Sequence, residues 1–283
     1  MNEVNDMKRM LIPLLSVAAT LSCAALAYGA SLEGINGGPG VMLKEMAKDK
    51  TEDMPETKED PADYMTALGT DIRKLDLPGD AEVVVVVEGS GLDASVSAYE
   101  RDALTAEDGS VTYGDWRSVI STAEGKLGRK GLGKIVEGDE KTPVGIFRMN
   151  TPFGIKDPLE GFPENYIKVT SDMYWNGDSA SPLYNRLVST DTYDDFSRSK
   201  SEHLIDYGGY YNYCIDMGYN PEGTPHRGSA LFLHCSMGIN TGGCIAIPED
   251  VMIEIMRTYR EGKTYIAVGD KADMASLYAA DEA

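Results

Sequence analysis

Cysteine and histidine are scarce in this sequence. Its 283 residues include four cysteines and three histidines, and none of them stands in an H-E-x-x-H, H-x-H or C-x-x-C spacing, so the common zinc patterns are absent. A zinc site built from His226, His234 and Cys244 is the remaining metal alternative. There is no G-x-S-x-G serine elbow, and the glycine-rich stretch LGRKGLG at Leu127 lacks a phosphate-binding pattern and is interpreted as a basic turn. We predict no metal and no organic cofactor.

Basic residues are also few relative to acidic ones. The chain has 26 Lys and Arg against 46 Asp and Glu, which gives a formal net charge of −20 and a pI near 4.5. Because like charges repel at long range, nucleic acid and anionic membrane surfaces are excluded as partners. Apolar residues make up 42% of the sequence, which is enough for a substantial core.

The N-terminus has the order of a secretory signal. Lys8 and Arg9 precede an apolar run that ends among the small residues Ala25 and Ala27. We predict that residues 1–30 are a signal peptide or an N-terminal membrane anchor, with a lipidated Cys23 as a third interpretation. Each interpretation places the rest of the chain outside the cytoplasm, with membrane attachment only through the N-terminus.

The remaining chain divides into three predicted parts. Residues 31–80 are rich in acid and proline and are predicted to be a flexible linker. Residues 81–270 contain short strand-like runs separated by turn residues, and residues 271–283 form a C-terminal tail. The runs Glu82–Gly89 and Ala94–Arg101 predict a hairpin, the second strand being half-buried. We therefore predict a mostly β fold with a few helices, in which loops between residues 153 and 200 shape a cleft.

One helix is predicted directly after Cys244. Pro248 suits the first helical position, and the apolar positions Val251, Ile255 and Tyr259 repeat at helical spacing. Gly262 is expected to close this helix. Its predicted role is packing.

Three cysteines remain once residues 1–30 are set aside: Cys214, Cys235 and Cys244. An odd number leaves at least one free thiol in an exported protein. His234 and Cys235 end a strand-like run, so their side chains are expected on opposite faces, and if His234 faces the cleft Cys235 is a core residue. Cys214 and Cys235 either pair or are both buried thiols.

Cys244 follows two glycines, Gly242 and Gly243, which leave backbone N–H groups accessible around its sulfur. Such groups, with the N–H of Cys244 itself, can form an oxyanion hole, and an imidazole near the thiol suits nucleophilic catalysis. A buried, inert cysteine is the alternative that these residues leave open.

Three segments resemble the L,D-transpeptidase catalytic domain (YkuD-type), in the branch with a shortened H…TGGC motif. They are GDEKTPVGIF from Gly138, GSALFLH ending at His234, and TGGCIAI containing Cys244. Shorter similarities, including SEHL at Ser201 and GYN at Gly218, lie between them. The likeness covers about 82–270, so it identifies residues 81–270 as an L,D-transpeptidase-like β-sandwich or barrel.

The resemblance implies a cysteine acyltransferase that acts on peptidoglycan stem peptides in cell wall biogenesis and cell shape. It makes Cys244 the nucleophile and His234 the general base, with the backbone N–H groups of Gly243 and Cys244 at the oxyanion hole and Thr241 in the Ser/Thr place of the motif. D-alanine would leave, a Cys244 thioester would form, and an amine of a second stem would resolve it. Carbapenem β-lactams would then be candidate inhibitors that acylate Cys244.

This chain departs from the family motif at Gly242, where the family has a second histidine, and at Ala246. Candidate substrate-binding residues are His203, Arg227, Tyr219 and Asn220, with Arg186 and His226 as further candidates for a substrate carboxylate. Alternative functions are an L,D-carboxypeptidase, a papain-like wall endopeptidase, and a catalytically inactive wall-binding module of the same fold.

Overall fold

A run of five valines, Val83 to Val87, begins the strand at the centre of the fold. The computed structural model of the protein describes residues 64–280, and the N-terminal signal and most of the linker that the sequence predicts lie outside that range. The valine strand, β1 (Val83–Ser90), pairs antiparallel with β2 (Asp93–Glu100), with Ser90 opposite Asp93. This confirms the predicted hairpin. β-Branched residues favour such a strand because their stiff side chains pack well on a pleated surface.

Short strands occupy most of the chain after this hairpin. They are β3 (Ala103–Thr105), β4 (Val111–Tyr113), β5 (Arg117–Lys126), β6 (Gly145–Arg148), β7 (Pro152–Gly154), β8 (Ile167–Lys168), β9 (Met173–Trp175), β10 (Leu187–Ser189), β11 (Glu202–His203), β12 (Cys214–Asp216), β13 (Phe232–Cys235), β14 (Ile245–Ile247) and β15 (Thr264–Gly269). Two α-helices are present in residues 64–280, α1 (Glu249–Thr258) and α2 (Lys271–Ser276), together with 3₁₀ segments at Ile72–Lys74, Arg198–Lys200 and Leu204–Tyr211. The fold is mostly β, as predicted.

Ten strands form one mixed sheet in the order β6-β15-β1-β2-β5-β14-β13-β12-β7-β8. The pairs β1–β15, β13–β14 and β7–β8 are parallel, and the other neighbours are antiparallel. The sheet curls, so that side chains from both of its halves share one inner core with α1. β9, β10 and β11 form a separate small sheet, and β3 and β4 form a ribbon.

The inner core explains the burial of β2 on both faces. Val96 and Ala98 point into this core, while Tyr99 packs on the opposite face of the sheet. The prediction of a half-buried second strand was therefore wrong, because β2 lies between β1 and β5 and both of its faces are covered.

Residues on either side of 81–270 also pack on the sheet. Ile72 and Leu75, in the segment that the sequence assigns to the linker, are buried against β1, and Met274 of α2 joins the same cluster. The Asp270 side chain caps α2 by accepting from the Ala272 and Asp273 N–H groups. The packed part of the chain thus extends beyond the predicted boundaries at both ends.

Helix α1 follows the predicted pattern with shifted ends. Val251, Ile255 and Tyr259 are buried in the inner core. Pro248 is the residue before the first helical position, and the helix ends at Thr258, so Gly262 lies in the turn that leads to β15. No helix within residues 64–280 is both long and apolar enough to span a bilayer.

Candidate active site

His234 and Cys244 lie on the same face of two adjacent parallel strands. Leu233 and Cys235 of β13 face the inner core together with Ile245 of β14. Side chains alternate along a strand, so His234 faces the other way. In the register, His234 is opposite Ala246, two residues after Cys244. The predicted separation of His234 from Cys235 is therefore confirmed, and Cys235 is a core thiol.

The sulfur of Cys244 is held by two backbone groups. Its thiol donates to the Ala230 carbonyl oxygen at 3.2 Å, and the Phe232 N–H donates to the sulfur at 3.4 Å. Burial, and to a smaller extent the Glu202 carboxylate, raise the pKa of Cys244 to about 12, although the Phe232 N–H opposes the rise. At neutral pH the side chain is a protonated thiol, so attack on a carbonyl requires a base.

His234 is a neutral imidazole fixed by one hydrogen bond. Its Nδ1 lies 2.8 Å from the Cys235 carbonyl oxygen, so Nδ1 carries the hydrogen and Nε2 is the ring atom that can accept a proton. Burial lowers the pKa of His234 to about 4. The ring contacts Tyr211 edge-on, with 5.5 Å between centroids. Within residues 64–280, no hydrogen bond joins the His234 ring to the Cys244 sulfur.

Two threonines fix the turn that leads into Cys244. The Thr241 hydroxyl donates to the Cys244 carbonyl oxygen at 2.6 Å and accepts from the Gly243 N–H at 3.0 Å. Thr142, which is fully buried, lies with its hydroxyl 3.4 Å from the same carbonyl oxygen. This contact joins the GDEKTPVGIF segment to the turn that precedes Cys244.

The sequence predicts open backbone N–H groups at both Gly242 and Gly243, and the structure differs at Gly243. Because the Gly243 N–H is bonded to Thr241, it is not an open oxyanion donor in this state. Gly242 is exposed, and its N–H has no hydrogen-bond partner in the part of the chain that the structure describes. Within the glycine pair, the donor that the structure leaves open is therefore the N–H of Gly242.

Cys244 and His234 both line a cavity of about 310 Å³. Gly242 and Thr241 line it too, and the other walls come from loops and from the small sheet. Its remaining polar and aromatic lining includes Arg129, Lys134, Lys200, Glu137, Glu202, Ser229, Asn240, Trp175, Tyr207, Tyr210 and Tyr211. A small-molecule or peptide segment of several residues fits a concave site of this size.

A buried ion pair shapes one wall of the cavity. Lys134 Nζ lies 2.9 Å from Asp139, and its side chain is 2% exposed. Asp139 also accepts from the N–H groups of Ile135, Val136 and Lys141. Although burial alone would raise the pKa of Asp139, these donors and Lys134 hold it well below its ordinary value.

Replacing Asp139 with asparagine is expected to lower the free energy of unfolding by about 3–5 kcal/mol, because it leaves the Lys134 ammonium buried without a counter-charge. Asp157→Asn breaks an exposed pair with Lys168 and should cost less than about 1 kcal/mol. Denaturant unfolding near pH 7 measures both. The Asp139 contribution is present above about pH 4 and is lost as the pH falls, since its folded-state pKa is depressed. Equal losses in the two variants would contradict this prediction.

Comparisons with known proteins add little at the level of sequence. No protein-family model and no curated protein matches the chain. Among solved structures, the chain is similar to the helical cell shape determining protein Pgp2 from Campylobacter jejuni, with 17% identity and a TM-score of 0.39 over 70% of this chain and 51% of that one. It is also similar to Bd1075 of Bdellovibrio bacteriovorus, with 14% identity and a TM-score of 0.34 over 72% of this chain and 55% of that one. The chain spans about half the length of each.

The four predicted substrate-binding residues lie outside the cavity lining. Tyr219 and Asn220 are buried and use their polar atoms on the backbone of residues 224–228, so they hold that loop. His203 stacks on Tyr174 and contacts the Ser171 carbonyl oxygen and Asp206. Arg227 is exposed. Tyr219, Asn220 and His203 use their polar atoms within the scaffold, and the role of all four residues in substrate binding stays a prediction.

The other minor candidates have similar explanations. Arg186 donates to the carbonyl oxygens of Asn185 and Pro221, and His226 is an exposed loop residue with a positive φ. In residues 64–280 no group of three or more His, Cys, Asp or Glu side chains is arranged to hold a metal ion. Cys214, Cys235 and Cys244 are all free, so the paired alternative for the first two is wrong.

Several residues of the cavity lining are not predicted by the sequence. Arg129 comes from the stretch interpreted as a basic turn, Lys134 follows that stretch directly, and Glu202 precedes the chosen His203. Successive side chains of a strand face opposite sides. A strand of two residues, such as β11, is too short for this alternation to show which of them faces the cavity. Trp175 is both a core residue and a cavity wall, as its aromatic character predicts.

Proposed function

We propose that the protein is a cysteine acyltransferase of the L,D-transpeptidase type that cross-links peptidoglycan stem peptides. The observation that supports this most is the joint exposure of Cys244 and His234 to one cavity, from the same face of β13 and the start of β14. A thiol and a neutral imidazole in a concave site are the parts that nucleophilic acyl transfer requires.

In the proposed first step, the Cys244 thiol leaves the Ala230 carbonyl oxygen and gives its proton to Nε2 of His234. The sulfur attacks the carbonyl between the third residue of a donor stem and D-alanine, while the Gly242 N–H stabilises the developing oxyanion. The carbon–nitrogen bond breaks, His234 returns the proton to the leaving D-alanine amine, and a thioester remains. An amine of a second stem then displaces Cys244.

A wall-binding domain without catalysis is the second candidate. It is favoured by the lack of a hydrogen bond between His234 and Cys244 in residues 64–280, and by burial of the thiol. Catalytic hydrogen bonds are often long before substrate binds, so this arrangement is also compatible with an enzyme.

The full chain incubated with purified stem peptides distinguishes these functions. We expect D-alanine release, a mass adduct that maps to the peptide containing Cys244, and cross-linked product. The buried thiols Cys214 and Cys235 serve as internal controls and should stay unmodified. Acid product without cross-links would select the carboxypeptidase, and no adduct with a stem peptide or a carbapenem would select the inactive domain.

His234→Ala is expected to slow thioester formation by about 10²–10⁴-fold, because the variant lacks the imidazole that accepts the Cys244 proton in the proposed first step. With the pKa of His234 lowered to about 4, the wild-type rate should fall as the pH drops through about 4, where the ring becomes protonated. The variant should lose this dependence. The measurement is the rate of the Cys244 adduct against pH by mass spectrometry.

His226→Asn is the matched control, since His226 is an exposed histidine with a positive φ that asparagine also adopts. It should leave the rate and the pH profile unchanged. A His234→Ala variant with the wild-type rate would remove His234 from the mechanism.

A further inference from the structure

Glu202 is an acidic group in the Cys244 cavity that the first half of the proposed reaction does not use. It lies on β11, opposite Trp175 of β9, and both residues line the cavity. Its Oε2 accepts a hydrogen bond from the Tyr211 hydroxyl at 2.6 Å. The Tyr211 ring in turn contacts His234 edge-on. The carboxyl group is thus positioned by the element that also packs on the general base.

No cation neutralises Glu202 in residues 64–280. The three basic side chains in the cavity wall each pair with another carboxylate: Arg129 with Glu140, Lys134 with Asp139, and Lys200 with Asp178. The titratable or charged groups that line the cavity with Glu202 are Tyr207, Tyr210, Tyr211, His234, Cys244, Glu137, Arg129, Lys134 and Lys200. Burial, and to a smaller extent Glu137, raise the pKa of Glu202 to about 7, although the Tyr211 and Tyr207 hydroxyls oppose the rise.

The second half of the proposed reaction has a proton that His234 alone does not handle. An acceptor amine with a pKa of about 10 arrives as an ammonium ion, which has no lone pair for attack. The ammonium ion must lose a first proton before its nitrogen can attack, and the nitrogen must lose a second proton when the new carbon–nitrogen bond forms. His234 can accept the second proton and pass it to the departing sulfur. The first proton then has no acceptor.

Building on the proposed acyl transfer, we infer that Glu202 is a second catalytic base, which takes the first proton from the acceptor ammonium. The ionised carboxylate becomes a carboxylic acid, and the amine nitrogen gains the lone pair that attacks the thioester carbonyl. The carbon–nitrogen bond forms and the carbon–sulfur bond breaks. The second proton reaches the sulfur through His234, and Glu202 releases its proton to water. Attack by water needs no such first step, so Glu202 would favour cross-linking over hydrolysis.

The test compares the wild-type chain, Glu202→Gln and Asp206→Asn with a donor stem peptide and an acceptor stem that bears a free amine. Asp206 is an exposed acid outside the cavity in the 3₁₀ segment that follows β11, so its amide variant controls for loss of one negative charge. The ratio of amide to acid product is measured by mass spectrometry from pH 5.5 to 9, together with the rate of the Cys244 adduct.

In the wild type and in Asp206→Asn, the ratio should rise with pH through about 7 as Glu202 ionises. In Glu202→Gln the ratio at pH 8 should fall about tenfold or more, and it should rise only as the pH approaches the pKa of the amine. The adduct rate should stay within a few-fold of the wild type, which shows that the site is intact.

Equal ratios and pH profiles for Glu202→Gln and the wild type would overturn the role of Glu202 while leaving the thioester mechanism in place. A wild type that gives only acid product at every pH would overturn it as well. Absence of any Cys244 adduct in the wild type would instead overturn the proposed function, and this inference with it.

Tyr211→Phe provides a second variant if Glu202→Gln does not fold. It keeps the ring against His234 and removes the hydroxyl that donates to Glu202. Because that donor stabilises the carboxylate, its loss should move the rise in the product ratio to higher pH. An unmoved rise would overturn the inference.

Discussion

Replacing Cys244 with alanine is expected to abolish thioester formation and D-alanine release, a loss of about 10³-fold or more. The reason is chemical: the variant has no atom that can form the acyl bond. The full chain is incubated with stem peptides, and both products are followed by mass spectrometry. Alanine keeps the turn at residues 241–244, since the carbonyl oxygen of residue 244 still accepts from Thr241 and Thr142.

Cys235→Ala is the matched control for this variant. Cys235 is a free, buried thiol whose pKa burial raises to about 12, as it does for Cys244. It points into the inner core on the other face of the sheet. Both variants should lose a similar, small amount of stability in thermal unfolding, but only Cys244→Ala should lose activity. Equal activity in the two variants would exclude Cys244 as the nucleophile.

The comparison of the two thiols shows what makes Cys244 a candidate. A raised pKa is common to both, so thiolate content at neutral pH does not distinguish them. Access to the cavity does distinguish the two thiols. Cys244 lines the cavity together with His234, whereas Cys235 donates to the Tyr213 carbonyl oxygen within the protein. The proposed reactivity therefore depends on proton transfer to His234 during attack and not on a preformed thiolate.

The regular elements near the site could be predicted from the sequence. The valines of β1, the apolar spacing of α1 and the alternation at His234 and Cys235 each carry a periodic signal that tertiary structure preserves. The resemblance also places the GDEKTPVGIF segment and the distant segment that contains Cys244 in one domain. In the structure these two segments meet at Thr142, whose hydroxyl reaches the Cys244 carbonyl oxygen.

The walls of the cavity could not be predicted in this way. Tyr210 and Tyr211 lie at the end of Leu204–Tyr211, a 3₁₀ segment with a kink at Gly208. Glu202 and Lys134 come from short or irregular pieces, where neither period applies. The resemblance selects Tyr219 and Asn220 through the GYN segment at Gly218, whereas the structure shows that their polar atoms satisfy the backbone of their own loop.

Gly243→Ala is expected to lower the rate of thioester formation by about 10²-fold and to destabilise the fold by roughly 1–3 kcal/mol. Gly243 has a φ of +143°, which side-chain-bearing residues rarely adopt. A Cβ atom there would lie 2.8 Å from the Lys141 carbonyl oxygen and 3.2 Å from Leu231. Since a backbone oxygen cannot yield without moving its segment, the turn must shift and carry the adjacent Cys244 sulfur with it.

Gly242→Ala is the control, because a Cβ atom at Gly242 meets no atom within 4 Å. It should change stability by less than about 0.5 kcal/mol, and alanine keeps the backbone N–H of residue 242 that the proposed first step uses. Denaturant unfolding and the rate of the Cys244 adduct measure both variants. The two glycines then differ in their requirement: position 243 requires glycine for the backbone, whereas position 242 has room for a side chain. Equal losses at 242 and 243 would contradict this distinction.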